Sequence, residues 1–112
     1  MTPKPIDVRE VAKADVEAGV DYYAGEAGDG VALRFIDELL SAYALLSTTP
    51  GAGSTRLGER LGLGGARSWS LKTFPYAIIY FDRPDRVDVW RVLHAQRDLE
   101  TVLSEGLGEP SR

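Results

Sequence analysis

The chain has 112 residues, 44% of them hydrophobic, which fits a single globular domain spanning residues 1–112. It has no cysteine and no apolar run near the roughly 20 residues of a membrane span, so disulfides, thiolate catalysis and a membrane anchor are excluded and a cytoplasmic protein is expected. The net charge of −4 arises in residues 1–50, with 4 Lys/Arg against 9 Asp/Glu, and does not indicate direct nucleic-acid binding.

The chain begins with a predicted strand followed by a helix. Residues 5–11 alternate apolar and polar side chains, which is typical of a strand with one buried face. Residues 12–27 place Val16, Val20 and Tyr23 at steps of four and three, which puts them on one face of an amphipathic helix.

A second helix is predicted over residues 31–49, where a broad apolar stripe recurs with helical spacing until Pro50 ends it. The Gly-Asp-Gly segment at 28–30 separates the two helices, so they are expected to form an antiparallel hairpin.

Residues 51–65 hold six glycines and predict a long, mobile connection. Two interpretations of this segment stay open. Either it only links the helical hairpin to the sheet, or its Arg56 and Arg60 bind a partner when the segment becomes ordered.

The second half of the chain predicts a sheet. Residues 66–72 alternate larger side chains with serines, and residues 76–82 and 86–93 are rich in β-branched and aromatic side chains. Between the last two strands, residues 83–86 carry Pro84 at the second position of a type I turn, so these strands form a hairpin.

A turn centred on Pro84 and Asp85 fixes the expected register of this hairpin. It pairs Ile79 with Trp90, Tyr80 with Val89, and Ile78 with Arg91. Both faces are then largely apolar. We assign the two helices to the Trp90 face, which has the larger apolar side chains, and expect the face with Tyr76, Tyr80 and Arg91 to stay open for a partner.

Residues 98–107 space their leucines as a short amphipathic helix or ordered tail, and residues 108–112 are expected to be flexible. The element order is β-α-α-β-β-β with a terminal segment. It predicts an α+β fold in which a helical hairpin packs on a three- to four-stranded, mainly antiparallel sheet.

Polar residues near the end of the last strand have both a structural and a functional interpretation. His94 either bonds the backbone at the strand end or serves as an acid or base. Arg91 either packs its stem on the sheet or pairs with a partner's carboxylate. Arg97 and Asp98 fit a local ion pair or helix cap, and Trp90 is expected in the core. A single histidine and the lack of a metal-binding motif predict no metal site and no cofactor.

Several segments resemble the ParE/RelE superfamily of toxins from bacterial type II toxin–antitoxin systems, and most of all its ParE branch of plasmid stabilisation proteins. The similar segments are Ala14-Asp15, Arg34-Phe35, FPYAIIYF at 74–81 and VDVWRVLHAQRDLE at 87–100. The resemblance implies a small cytoplasmic toxin that a cognate, ParD-like antitoxin holds inactive.

Within this superfamily ParE-like members inhibit DNA gyrase and RelE-like members cleave mRNA on the ribosome, so the fold alone does not decide the target. Metal-free RNA cleavage needs an acid, a base and cations around the phosphate. The lysine-poor sheet therefore favours a gyrase inhibitor without catalytic residues. If the protein is instead a ribonuclease, the candidates are Arg67, Lys72, Tyr80 and Arg91. A toxin-derived protein that only binds an antitoxin is the third alternative.

For the antitoxin we expect a disordered segment that folds as a helix, with or without an added strand. Its expected contacts are Tyr76, Tyr80, Arg91 and Arg97, with Arg56 and Arg60 beside them.

Overall fold

The computed structural model describes residues 2–98 and residue 101, and its architecture is the predicted α+β fold. The elements are, in order, β1 (Ile6–Val8), α1 (Glu10–Ala27), α2 (Asp29–Thr48), a 3₁₀ turn (Pro50–Ala52), α3 (Arg56–Arg60), β2 (Ala66–Ser70), β3 (Tyr76–Asp82) and β4 (Val87–His94). Arg97, Asp98 and Thr101 are helical, and the rest of the predicted segments 98–107 and 108–112 lies outside the described residues. No helix in the described part is long and apolar enough to cross a membrane.

The four strands form one sheet in the order β1-β4-β3-β2, with β1 parallel to β4 and the other neighbours antiparallel. The helical hairpin is the crossover that a parallel first strand requires. Gly28 turns the chain between α1 and α2 with a φ of 91°, a value that favours glycine. Because β1 has three residues and β4 has eight, β1 pairs only with Val87–Val89.

The register of the β3–β4 hairpin is confirmed next to the turn and wrong further from it. Tyr80 pairs with Val89 as predicted. Beyond that pair a β-bulge shifts the register by one residue, so Ile79 pairs with Arg91 and Ile78 with Val92. A bulge inserts one residue into one strand, which no pattern in this sequence signals.

The helical hairpin covers the sheet face that holds Tyr76, Ile78 and Tyr80, so the predicted assignment to the Trp90 face is wrong. Phe35 and Leu46 of α2 lie in the same buried cluster as these three residues. The prediction rested on the larger apolar side chains of the Trp90 face and took the tyrosine hydroxyls of the other face to need solvent or a partner. A tyrosine is readily buried when its hydroxyl finds a partner, and the fold supplies one.

The opposite face of the sheet is covered as well, so the expected open face is absent from the described residues. Trp90 and Phe81 form a second buried cluster, against which Leu57, Leu61 and Leu63 pack. Leu57 and Leu61 are one helical turn apart, and this spacing explains why part of the glycine-rich connection is helical instead of irregular.

Gly58 lets α3 lie directly on β2. A Cβ at this position would collide with the carbonyl oxygen of Ala66 and would lie 2.9 Å from both the Ala66 Cβ and the Leu63 carbonyl oxygen. The close approach of two backbones therefore requires glycine here.

Asp88 is a buried carboxylate that ties the start of α1 to the β3–β4 hairpin. Its oxygens accept hydrogen bonds from Arg9 Nε at 2.8 Å, Arg9 Nη2 at 2.7 Å and Arg83 Nε at 3.2 Å. The hydrogen bonding from Arg9 holds the pKa of Asp88 below its ordinary value, although burial acts in the opposite direction. The ionised form therefore stabilises the fold.

Replacing Gly58 with alanine should lower the free energy of unfolding by about 1–3 kcal/mol, because the added methyl group forces α3 away from β2. Gly51→Ala is the matched control, since a Cβ at Gly51 meets nothing within 4 Å. Urea denaturation measures both variants. Equal stability of the two would contradict the close packing of α3.

Asp88→Asn should cost about 3 kcal/mol at pH 7, because it removes the buried negative charge that pairs with Arg9 and Arg83. Because the folded pKa of Asp88 is lowered, its contribution is present above the unfolded pKa and disappears as the pH falls through the folded pKa. The difference in stability between wild type and variant should therefore narrow as the pH falls below about 4 and close once the pH has passed the folded pKa of Asp88. Asp85→Asn, at an exposed surface pair, is the control and should change stability little at any pH.

Candidate functional site

A cleft of about 340 Å³ opens between α1, the far end of β4 and the helical residues that follow β4. Its floor is apolar and its rim is charged. The residues that line it are Asp15, Ala18, Gly19, Tyr76, Arg91, Val92, Leu93, Arg97, Asp98 and Thr101.

The cleft forms where β1 stops and the edge of β4 loses its neighbouring strand. Two carboxylates take over the backbone donors of this edge. Asp15 Oδ2 accepts the Val92 N–H at 3.0 Å, and Asp98 Oδ2 accepts the His94 N–H at 2.8 Å. Buried backbone donors must be paired, and here side chains provide the acceptors that a longer β1 would provide.

Arg91 holds the first of these carboxylates in place. Its Nε and Nη2 donate to the two oxygens of Asp15 at 2.8 and 2.9 Å, in a bidentate pair whose side chains are 22% and 15% exposed. The hydrogen bonds to Asp15 raise the pKa of Arg91 above its ordinary value. Asp15 therefore joins the first half of α1 to β4 through both an ion pair with Arg91 and a hydrogen bond from the Val92 backbone.

Arg97 and Asp98 form the second ion pair on the rim. Arg97 Nε lies 3.1 Å from Asp98 Oδ1, its Nη2 lies 3.5 Å from the Tyr76 hydroxyl, and its guanidinium lies 5.8 Å from the centre of the Tyr22 ring. Burial raises the pKa of Asp98, but the hydrogen bonds from His94 N–H and Arg97 outweigh it and leave this pKa below its ordinary value.

His94 lies at the end of β4 and organises the turn that closes the cleft. Its Nδ1 accepts hydrogen bonds from the backbone N–H of Arg97 at 3.1 Å and of Gln96 at 3.3 Å. Its ring packs edge-on against Tyr76 with 5.3 Å between ring centres. These contacts of the imidazole stabilise the end of the strand.

Tyr76 and Tyr80, expected on an open surface, are 2% and 0% exposed. The Tyr80 hydroxyl donates to the Pro50 carbonyl at 2.6 Å and accepts from the Gly53 N–H at 2.9 Å. The expectation that both rings are accessible is wrong, because the helical hairpin and the 50–53 segment cover them.

The four ribonuclease candidates lie at three different places in the fold. Arg67 donates to the Gly51 and Gly53 carbonyls at 3.2 and 2.8 Å, beside the Tyr80 hydroxyl at the β2 side of the sheet. Arg91 is held by Asp15 at the other side. Lys72 lines a separate groove of about 230 Å³ between α2 and the end of β2.

Arg56 and Arg60 lie on α3, where their side chains are exposed. Neither arginine forms an ion pair with any residue from 2 to 98 or with residue 101. Trp90 is in the core, as predicted, and packs on Phe81 with 6.1 Å between ring centres.

Asp15 is the site residue that sequence reasoning missed. Its position in the first half of α1 indicates only a favourable interaction with the helix dipole. Its partner Arg91 is 76 residues away, and no local pattern reports so distant a pair. The one sequence signal that could have identified Asp15 is the Ala14-Asp15 segment, which is among the segments that resemble the family.

The chain is similar to a known protein family and to a solved structure. Residues 6–99 match the family described as "ParE toxin of type II toxin-antitoxin system, parDE". A solved structure titled "Chromosomal ParDE TA system from P. aeruginosa" has a TM-score of 0.71 and 19% sequence identity, with 83% of this chain and 97% of that chain covered. No curated protein sequence matches the chain.

Replacing Asp15 with asparagine should lower the free energy of unfolding by about 2 kcal/mol, because Arg91 loses its countercharge while the side chain keeps its shape. The control is Glu17→Gln, an exposed carboxylate on the same helix, which should change stability by less than about 0.5 kcal/mol. Urea denaturation at pH 7 compares the two. If both variants were as stable as wild type, the pair would not be holding α1 to β4.

Proposed function

This chain belongs to the ParE toxin family of type II toxin–antitoxin systems, and we propose that it inhibits DNA gyrase by protein–protein contact in the cytoplasm until a cognate antitoxin neutralises it. The activity requires no cofactor. The 19% identity of the structural match supports the fold alone, so the target is argued from the residues of this chain.

The observation that supports the proposal is that the four ribonuclease candidates lie at three places in the fold, where only Arg67 and Tyr80 are neighbours. Cleavage of RNA without a metal needs an acid, a base and cations that converge on one phosphate. Tyr80 is buried, and its hydroxyl both donates and accepts a hydrogen bond within the chain. Arg91 is committed to Asp15, and Lys72 lines a different groove. Such an arrangement favours inhibition by binding over catalysis.

The cleft beside α1 has the character of a recognition surface. Its two arginines are neutralised by Asp15 and Asp98, so neither is available as a bare cation for a phosphate. An apolar floor with a rim of satisfied ion pairs is the composition that protein interfaces use.

Purified toxin should inhibit supercoiling by purified gyrase, and it should leave mRNA intact on programmed ribosomes. Lys72→Ala should not change the inhibition of gyrase, because Lys72 belongs only to the ribonuclease alternative. Arg34→Ala, another exposed cation, is its matched control. The measurements are agarose-gel supercoiling and primer extension on ribosome-bound mRNA.

Codon-positioned cuts that Lys72→Ala abolishes, with gyrase unaffected, would establish the ribosome-dependent ribonuclease instead. A protein that neither inhibits gyrase nor cleaves mRNA, but still binds its antitoxin, would be a toxin-derived protein that only binds its antitoxin.

A further inference from the structure

The flank of α1 above the cleft is apolar and exposed. Val11 and Tyr22 are the large apolar residues of this helix that remain 42% and 48% exposed. With Asp15 and Ala18 they are spaced by four, three and four residues, so all four lie on one face of the helix. Ala18 and Gly19 line the cleft, and their small size leaves its volume open.

Negative charge surrounds this apolar flank. Residues 10–27 of α1 contain five carboxylates and one lysine. Glu17, Asp21 and Glu26 are exposed, and within the described part of the chain they form no ion pair. The rim arginines are already neutralised by Asp15 and Asp98, so they do not offset this charge. A complementary partner is therefore cationic.

The edge of β4 determines what secondary structure the partner has. A partner strand would need free backbone donors on this edge. The N–H groups of Val92 and His94 are already bonded to the carboxylates of Asp15 and Asp98. Strand addition would have to displace both ion pairs, whereas a helix needs no backbone donors from the surface it packs on.

We infer that the cleft and the Val11–Tyr22 flank of α1 bind a basic amphipathic helix of the antitoxin, an inference that rests on the proposed function. One large apolar side chain of that helix enters the cleft between Ala18 and Val92. Its lysines or arginines lie against Glu17 and Asp21. The volume of about 340 Å³ is at the small end of ligand pockets, which suits an anchoring side chain.

This arrangement reverses the expected charge of the partner. One of the two interpretations of Arg91 from the sequence is a pair with a carboxylate of the antitoxin. Since Asp15 and Asp98 occupy both rim arginines within the chain, the charges left for a partner on this side are the carboxylates of α1.

The test uses the product of the small open reading frame adjacent to the toxin gene, purified and titrated into the toxin by calorimetry. Ala18→Phe fills the cleft and should weaken binding at least tenfold. The matched control is Ala44→Phe at an exposed position of α2, which should stay within twofold of wild type.

Charge reversal provides an independent variant if Ala18→Phe does not fold. Glu17→Lys with Asp21→Lys should weaken binding at least tenfold and flatten its dependence on salt, whereas Asp37→Lys on α2 should do neither. Hydrogen exchange of the complex should protect residues 11–22 of the toxin and a lysine- or arginine-rich helical segment of the antitoxin.

Wild-type binding that both sets of variants leave unchanged would overturn this docking site and leave the proposed function standing. A wild-type toxin that does not bind the adjacent gene product at all would instead contradict the proposed toxin–antitoxin pairing. An acidic protected segment would overturn the basic helix even if the site were correct.

Discussion

The free edge of β4 is the constraint on which the arrangement of this molecule depends. β1 pairs with only the first three residues of β4, so the remaining backbone donors of a central strand face a helix instead of a strand. Asp15 and Asp98 satisfy two of them, and each carboxylate is held by an arginine. In a low-dielectric setting an unpaired donor is costly, so these contacts set where α1 and the residues after β4 lie.

The same constraint produces the cleft. Asp15 brings α1 against the edge of β4 at one point, while Ala18 and Gly19 are too small to fill the space beside it. Gly19 is small for a separate reason, because a Cβ there would lie 3.0 Å from the Phe35 ring. The space is thus a consequence of how the helix packs on the core.

The charged side chains near the end of β4 are paired within the chain, whereas several on α1 and α3 are exposed. The cations near the end of β4 are bound to the chain's own carboxylates, while α1 displays carboxylates with no partner in the described residues. Arg56 and Arg60 are exposed on α3, which covers the opposite face of the sheet. The protein therefore presents exposed carboxylates on α1 and two exposed arginines beside the exposed Glu59 on α3.

The sequence by itself determined the two long helices, the strands, the Pro84 turn and the family resemblance, because periodicity, turn residues and motifs are local properties. The short helix α3 within the glycine-rich connection was not predicted. It could not determine which face of the sheet the helices cover, since both faces are apolar and the choice depends on whether the Tyr80 hydroxyl finds partners at Pro50 and Gly53. The bulge that moves Arg91 opposite Ile79 has no local signature either. Only the tertiary structure decided that Arg91 meets Asp15 within its own chain, because that pair joins residues 76 positions apart and exists only once α1 has packed against β4.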